Sequence, residues 1–357
     1  MSEFDKYIVQ GEPDKQEKAK AWQTAIGLQD VDGLKPSEYL IKTAMQHIEG
    51  DLTIGQVKDM LDSYYQTKGV RENLENERTE EADKVSARIT EILSEQSFSF
   101  TPDYYLRIHR RLFEGIYEHA GQLRTVDITK KEWVLNGDTV LYTSHDMLRE
   151  TLEYDFAQEK KTDYKTLNAD MAMKHICNFI SGIWQIHPFR EGNTRTTAVF
   201  TMKYLKTFGF PIDNEVFKDN SWYFRNALVR ANYKNFPKGI FATTEYLEQF
   251  FRNLIFGEKN QLSNRSMLVN VSQSATTEIS KSQNGTLDGT LNCTLEELAL
   301  LKYLKDNPNA KQTDIAKHLE KSERTIKRMT PSLIERGLLE RENGKRNGKW
   351  IVKCELH

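Results

Sequence analysis

The sequence is poor in cysteine. Cys177, Cys293 and Cys354 are its only three, they lie far apart, and no CxxC pair is present. That pattern argues against a disulfide framework and a structural zinc site, and a reducing cytoplasm is the expected setting. Long apolar runs are lacking too. No window approaches the ~18 apolar residues of a membrane span, and the nearest, from Ile176 to Ile186, carries Cys, Asn, Ser and Gln. No membrane partner is expected. The opening stretch MSEFDKYIVQGEPDKQEK is too polar for a signal peptide. Neither charge dominates: 50 Lys and Arg face 52 Asp and Glu in 357 residues, a net charge of −2. This excludes a strongly basic nucleic-acid binder over the whole length, though not a basic module within it. No solenoid-length repeat is found, and the GxxxxGK[ST], HExxH and GxSxG signatures are missing.

What is present suggests two or three domains by length. The clearest boundary is residues 257–293, rich in Ser, Asn, Thr and Gly. It reads as a linker, with a short ordered piece at Met267–Val271. Before it, helical spacing dominates: Tyr105, Ile108, Leu112, Phe113 and Ile116; Leu148, Leu152 and Phe156; Tyr246, Phe250 and Leu254. The exception is 123–142, where Val126/Ile128, Trp133/Leu135 and Val140/Tyr142 alternate about Asn136-Gly137-Asp138, which predicts a β-hairpin. After the linker, helical patterns at 295–306, 312–319 and 323–336 precede two strand-like runs around Asn343-Gly344. Residues 311–353 hold 12 basic and 6 acidic side chains, leaving a net −8 on the remainder.

The sharpest local signal is HICNFISGIWQIHPFREGNTRTTAVF, residues 175–200. Ile176, Phe179, Ile180, Ile183 and Trp184 step by three and four along a buried helix face, and His187 continues that face. Pro188 stops the helix. A second helix begins near Thr194 after a Gly-Asn turn. Free N–H groups at a helix start attract phosphate, and Gly192 permits close backbone approach. Arg190 and Arg195 can neutralise phosphate charge. Glu191 offers one carboxylate to a Mg²⁺ shared with nucleotide phosphates. A neutral His187 can take the proton of an incoming hydroxyl. These residues point to transfer of a phosphate or nucleotide group.

HPFREGNTR resembles the signature of Fic-domain proteins, H-x-F-x-[DE]-G-N-G-R-x-x-R, through His187, Phe189, Glu191, Gly192, Asn193 and Arg195. YLRIHRRLFEGIYEHAGQLRTVDITK, residues 105–130, is similar to the stretch leading into the family's substrate-binding flap. The resemblance covers about residues 35–255. It implies a mainly α fold, a helical bundle with a β-hairpin flap, and transfer of AMP from ATP to a Ser, Thr or Tyr hydroxyl of a target protein. His187 would be the base and Glu191 the Mg²⁺ ligand. The backbone from Gly192 through Thr194 to Arg195 would form the anion hole, with Asn193 and Arg195 on the phosphates and Phe189 as a core anchor. The flap around Lys130 and Tyr142 would dock the target by strand-like pairing, and Asn232-Tyr233 would contact adenosine. Two positions depart from the pattern: Thr194 replaces its second glycine and Ala198 its last arginine. That arginine helps hold the γ-phosphate, so its loss bears on nucleotide choice and rate; Arg190 could cover it.

KTAMQHIEGD and the following TIGQVKDMLDSYYQ resemble the inhibitory helix and antitoxin module of the family, which implies that Glu49 is a built-in inhibitor. The competing reading is a solvated helix end with a glycine stop. Residues from 295 onward resemble a winged helix. Ile315, Ala316 and Leu319 pack its first reading helix and Ser322 caps the second. Arg324, Lys327 and Arg328 lie on the recognition helix, and Lys345, Arg346 and Lys349 on the wing, where DNA phosphates are contacted. Winged helices also dock proteins. The expected layout is an N-terminal helical region with the inhibitory helix (1–95), a Fic core (96–256), the linker (257–293) and a small winged-helix domain (294–357). The leading reading is an autoinhibited protein adenylyltransferase. The others are a DNA-binding regulator whose Fic-like domain is inactive or a sensor, and transfer of another nucleotide or phosphate-containing group. A homodimer is compatible with the sequence, which leaves the oligomeric state open.

Overall fold

The computed structural model describes residues 3–67, 74–210, 215–269, 293–342 and 348–354. Helices α1 (Asp5–Gln10), α2 (Pro13–Gly27), α3 (Glu38–Glu49) and α4 (Ile54–Thr67) form the N-terminal region, and α5 (Leu74–Ser94) joins it to the rest. Pro13 opens α2 where no N–H is needed. The Ser37 hydroxyl caps α3 by accepting from Leu40 N–H. Trp22, Leu40, Ala44, Ile48, Val57 and Leu61 pack into a small core of their own. Helix α5 faces two ways: Ala87 joins that cluster, while Val85, Ile89, Ile92 and Leu93 enter the main core.

The main body follows as α6 (Pro102–Phe113), α7 (Leu148–Glu159), α8 (Ala169–Ile186), α9 (Asn193–Lys206), α10 (Glu215–Asn232) and α11 (Glu245–Phe251). Helix α8 buries Met173, Ile176, Cys177, Ile180, Ile183 and Trp184, the face its spacing predicts. Helix α9 is buried on every side from Asn193 to Leu205, so it is the central helix. Its hydroxyls are satisfied inside the helix: Thr196, Thr197 and Thr201 donate to carbonyls four residues earlier. Trp184 N–H donates to Thr194 Oγ1 at 2.9 Å and ties α8 to α9.

The expected hairpin at 123–142 is not one. Asn136 and Gly137 do adopt the positive φ of a tight turn (53° and 87°), but the arms do not form a ladder, and Trp133–Leu135 is a 3₁₀ turn. The cause is what the arms bury. Val134, Leu135, Val140 and Tyr142 all enter the core. Glu132, 1% exposed, is drawn inward to an ion pair with Arg225 of α10 at 2.8 Å. A regular ribbon alternates its two faces and cannot bury the adjacent Val134 and Leu135 together.

The expected linker also begins later. Residues 257–269 fold back on the core: Met267 is fully buried, and Arg230 donates to its carbonyl at 3.1 Å. Val269 N–H donates to Val134 O at 2.9 Å, which pins this strap to the flap segment. Val271 and the rest of the linker reading lie outside the described residues.

Helices α12 (Leu295–Asp306), α13 (Gln312–His318) and α14 (Glu323–Glu335) precede antiparallel β1 (Leu339–Glu342) and β2 (Lys349–Val352), with Arg341 opposite Trp350. A Thr294–Glu297 capping box starts α12, and Ser322 caps α14. Asn343, Gly344, Lys345 and Arg346 lie outside the described residues. This unit packs on the end of α9. Leu319 and Ala299 close over Gly209 so tightly that a Cβ there would come within 2.9 Å of Leu319. Glu320 pairs with Lys206, and Lys321 donates to Thr207 O, each at 2.8 Å. Among the described residues no helix is long and apolar enough to cross a membrane.

The strap gives a direct test. Met267→Ala should destabilise the protein by about 2–5 kcal/mol through the cavity it leaves, measured by urea unfolding. A solvated linker residue would leave the transition unmoved.

Candidate active site

His187 ends α8 in a left-handed conformation (φ 50°, ψ 58°) and is buried, 3% exposed. Its backbone is held from outside the helix. Arg124 donates through Nε to His187 O at 2.9 Å, and its own N–H donates to Pro188 O at 2.9 Å. Its other nitrogens reach Val126 O and Thr143 O. The imidazole sits 4.1 Å from the Tyr142 ring and edge-on to Trp184 at 5.2 Å, ring centre to ring centre. Nδ1 lies 3.3 Å from Trp184 O, while Nε2 is buried with no hydrogen-bond partner. Assigning the proton to Nδ1, so that it faces the carbonyl, leaves the Nε2 lone pair free. Burial first, then the charge of Lys130, pushes the His187 pKa well below its usual 6.5.

The loop after His187 is tied into a fixed shape. The Asn193 side chain accepts from Phe189 N–H at 3.0 Å and donates to Phe189 O at 2.8 Å. Phe189 stacks on His109 with centres 3.6 Å apart. Gly121 N–H donates to His109 Nδ1 at 2.8 Å, so Nε2 carries the proton and donates to Glu191 O at 3.0 Å. Gly192 has φ 74°, and a Cβ there would lie 2.4 Å from the Phe113 ring; only glycine fits. The first backbone N–H groups of α9, at Asn193, Thr194 and Arg195, have no acceptor among the described residues. They form the anion-attracting end of the helix.

The charged side chains depart from expectation. Arg195 is 1% exposed and does not face the loop mouth. Its guanidinium pairs with Asp32 at 2.8 Å and Glu81 at 2.5 Å, and donates to Gln29 Oε1 at 3.0 Å. It cannot also hold phosphate in this arrangement, because two carboxylates already neutralise it. Asn193 is likewise spent on Phe189. Glu191 is 56% exposed and pairs with Lys130 Nζ at 2.8 Å. Lys130 and Tyr142, expected to bound the target-docking flap, turn their side chains into the site: one neutralises Glu191, and the other is buried against His187. Arg190 is exposed, with Nη2 3.4 Å from Thr125 Oγ1.

Asn232 and Tyr233 are not open to a nucleoside here. Asn232 donates to Ser181 O and Oγ on α8, and the Tyr233 hydroxyl donates to Asp138 at 2.6 Å. Glu49 is not carried to the site. It ends α3 beside Gly50 (φ 93°) and pairs with Lys15 at 2.6 Å, 40% exposed. Gly50 stops the helix, and the surface lysine partners the carboxylate. Arg324, Lys327 and Arg328 stand exposed on α14, with Lys327 paired to Glu323 one turn back. Sequence reasoning missed Arg124, His109 and the Glu132–Arg225 pair. Arg124 and His109 lie inside the 105–130 stretch quoted above, but nothing in their spacing marks them.

Several histidines are held neutral, which sets a pH test. Burial depresses His47 to about 4 and His109 to about 3. Both folded values lie below the unfolded 6.5, so the unfolded chain takes up the proton first. Their effect is absent above pH 6.5 and grows below it, each removing up to ~1.4 kcal/mol per pH unit. Unfolding free energy should therefore fall between pH 6.5 and 4. His47→Gln keeps an acceptor for Trp22 N–H, now at 3.0 Å from His47 Nδ1, and should shrink that slope.

With this geometry in place, comparison with known proteins is informative. Residues 99–205 match the Fic/DOC family and residues 293–350 the MarR family. Protein adenylyltransferase VbhT of Bartonella schoenbuchensis is 28% identical over 149 residues, 42% of this chain and 30% of that protein. The probable protein adenylyltransferase y4lH of Sinorhizobium fredii is 28% identical over 146 residues, 41% of this chain and 71% of its own length. The match thus spans under a third of the first relative. A crystal structure of a Fic family protein from Desulfovibrio desulfuricans G20 superposes with a TM-score of 0.44 at 13% identity, over 98% of this chain and 91% of that one. The chain carries a Fic/DOC-family domain at residues 99–205, followed at residues 293–350 by a winged-helix segment of the MarR family.

Proposed function

We propose that the protein transfers AMP from ATP to a hydroxyl side chain of a target protein. The observation that carries this reading is His187 Nε2: buried, neutral and without a partner, beside a helix start whose N–H groups are free. A hydroxyl entering there would lose its proton to Nε2 as its oxygen attacks the α-phosphorus. The bond to the bridging oxygen breaks, and pyrophosphate leaves with that electron pair. The N–H groups of residues 193–195 would stabilise the phosphate charge. Arg124 keeps the imidazole in place throughout by holding the His187 carbonyl.

Mg²⁺ is the metal this chemistry implies, and Glu191 suits it. A lone, half-exposed carboxylate at the loop mouth matches the protein share of a Mg²⁺ site completed by phosphate and water oxygens. No cluster of three or more His, Cys, Asp or Glu that could hold a metal occurs among the described residues. When bound, the ion would neutralise phosphate charge.

Restraint of the enzyme, in this reading, comes from Asp32 and Glu81 rather than Glu49. They come from the N-terminal region and α5 and neutralise Arg195 directly below the anion-binding end of α9. The winged helix is read as a DNA-binding module, supported by three exposed cations on α14 and the MarR-family match.

Two experiments test these readings. With labelled ATP, Mg²⁺ and a cell extract, the wild-type chain should label protein, and His187→Ala should lower incorporation at least about 10²-fold. Labelling independent of His187 would end the reading. In a gel shift at low salt, the full chain should retard duplex DNA, and Arg324→Ala/Arg328→Ala should weaken binding and flatten its salt dependence. No retardation would point to protein docking.

A further inference from the structure

A nucleoside triphosphate needs positive charge near its outer phosphates, and this site has an apparent shortage. Ala198 stands fully buried where the family pattern has its last arginine, and Arg195 is neutralised by two carboxylates. Arg124 is spent on three backbone carbonyls and Arg225 on Glu132, so among the described residues around the loop Arg190 and Lys130 remain. Arg190 extends over the surface toward Thr125. Lys130 is different: its side chain is only 25% exposed, and its Nζ lies at the mouth, 2.8 Å from Glu191 Oε2. Its charge is the leading one acting on His187.

The segment that carries Lys130 is anchored. Its N–H donates to Thr139 Oγ1 at 3.3 Å. Two residues on, Glu132 is buried against Arg225 and accepts from the Tyr142 hydroxyl at 3.3 Å. The ammonium group is therefore presented to the Glu191 carboxylate, near enough for its charge to act on His187, by a fixed backbone and on a side chain long enough to swing.

We propose that Lys130 is the outer-phosphate-binding cation of this site, held on Glu191 until a nucleoside triphosphate displaces it. This rests on the adenylyltransferase reading above. On nucleotide entry the Lys130–Glu191 pair opens. Glu191 becomes free to face Mg²⁺, and the ammonium moves to the β- and γ-phosphates, the charge Ala198 cannot supply. Each carboxylate and ammonium exchanges one ionic partner for another, so no charge is left buried alone. Lys130 thus reads triphosphate against monophosphate, and is not a residue for docking the target.

Equilibrium dialysis of the full chain against labelled ATP and AMP, without catalysis, tests this. Lys130→Ala should weaken ATP binding at least about tenfold, the scale of a charge-assisted hydrogen bond to phosphate, and leave AMP binding unchanged. Lys130→Arg should restore it. Without Mg²⁺, Glu191→Gln should tighten ATP binding by freeing Lys130, and the gain should vanish in Lys130→Ala/Glu191→Gln. Wild-type binding of ATP with no loss in Lys130→Ala, or an equal loss for AMP, overturns the role of Lys130 alone. A wild-type chain that binds neither nucleotide overturns the adenylyltransferase reading and this inference with it.

Discussion

The site depends on one short clasp. Asn193, the first residue of α9, accepts from the N–H and donates to the C=O of Phe189. This closes residues 189–193, most of the turn between α8 and α9, into a rigid loop. One side of the clasp fixes where the imidazole of His187 stands. The other fixes where the helix exposes its first N–H groups. Phe113 and His109 then fill the space beneath, leaving room only for a glycine at 192. An imidazole and an anion-attracting helix end cannot drift apart while this loop holds, and such preorganisation is what a transfer reaction needs.

Around that clasp, charges are paired with unusual thoroughness. Arg195 answers Asp32 and Glu81, Lys130 answers Glu191, and Arg225 answers Glu132. Two of these pairs are buried deeply enough that breaking one would leave an uncompensated charge. The Arg195 cluster binds the N-terminal region to the central helix, and the Glu132 pair binds the flap segment to α10. The Lys130 pair is the exposed one, so it is the pair that an incoming anion and cation can most readily rearrange.

Much of this was legible in the amino-acid sequence, and what was not has a common cause. The α8 face, the stop at Pro188, the turn at Gly192 and the three helices and two strands of the C-terminal unit are local signals, carried by spacing and capping within a few residues. The partners of Arg195 are not local: Glu81 lies 114 residues away. Nothing near Arg195 announces that two acids will take it from the phosphate side. The flap misled for a related reason. Its alternation and its Asn-Gly turn are those of a hairpin, but the buried Glu132 and its partner on α10 override them. Glu49 shows the reverse ambiguity: a stretch resembling an inhibitory motif is equally a helix end with a glycine stop, and in the structure its carboxylate pairs with Lys15. The strap at 257–269 is polar in composition apart from Leu262 and the Met267-Leu268-Val269 run, too few apolar positions to announce that it folds back.

Helix α9 starts at the anion-attracting loop and ends at Lys206, where Glu320 and Lys321 of the helix-turn-helix turn take hold. Its 14 residues make a rod of about 21 Å, buried along nearly its whole length, and a rod so encased moves as one body or not at all. The anion-attracting loop and the seat of the C-terminal unit are therefore the two ends of one unbroken helix.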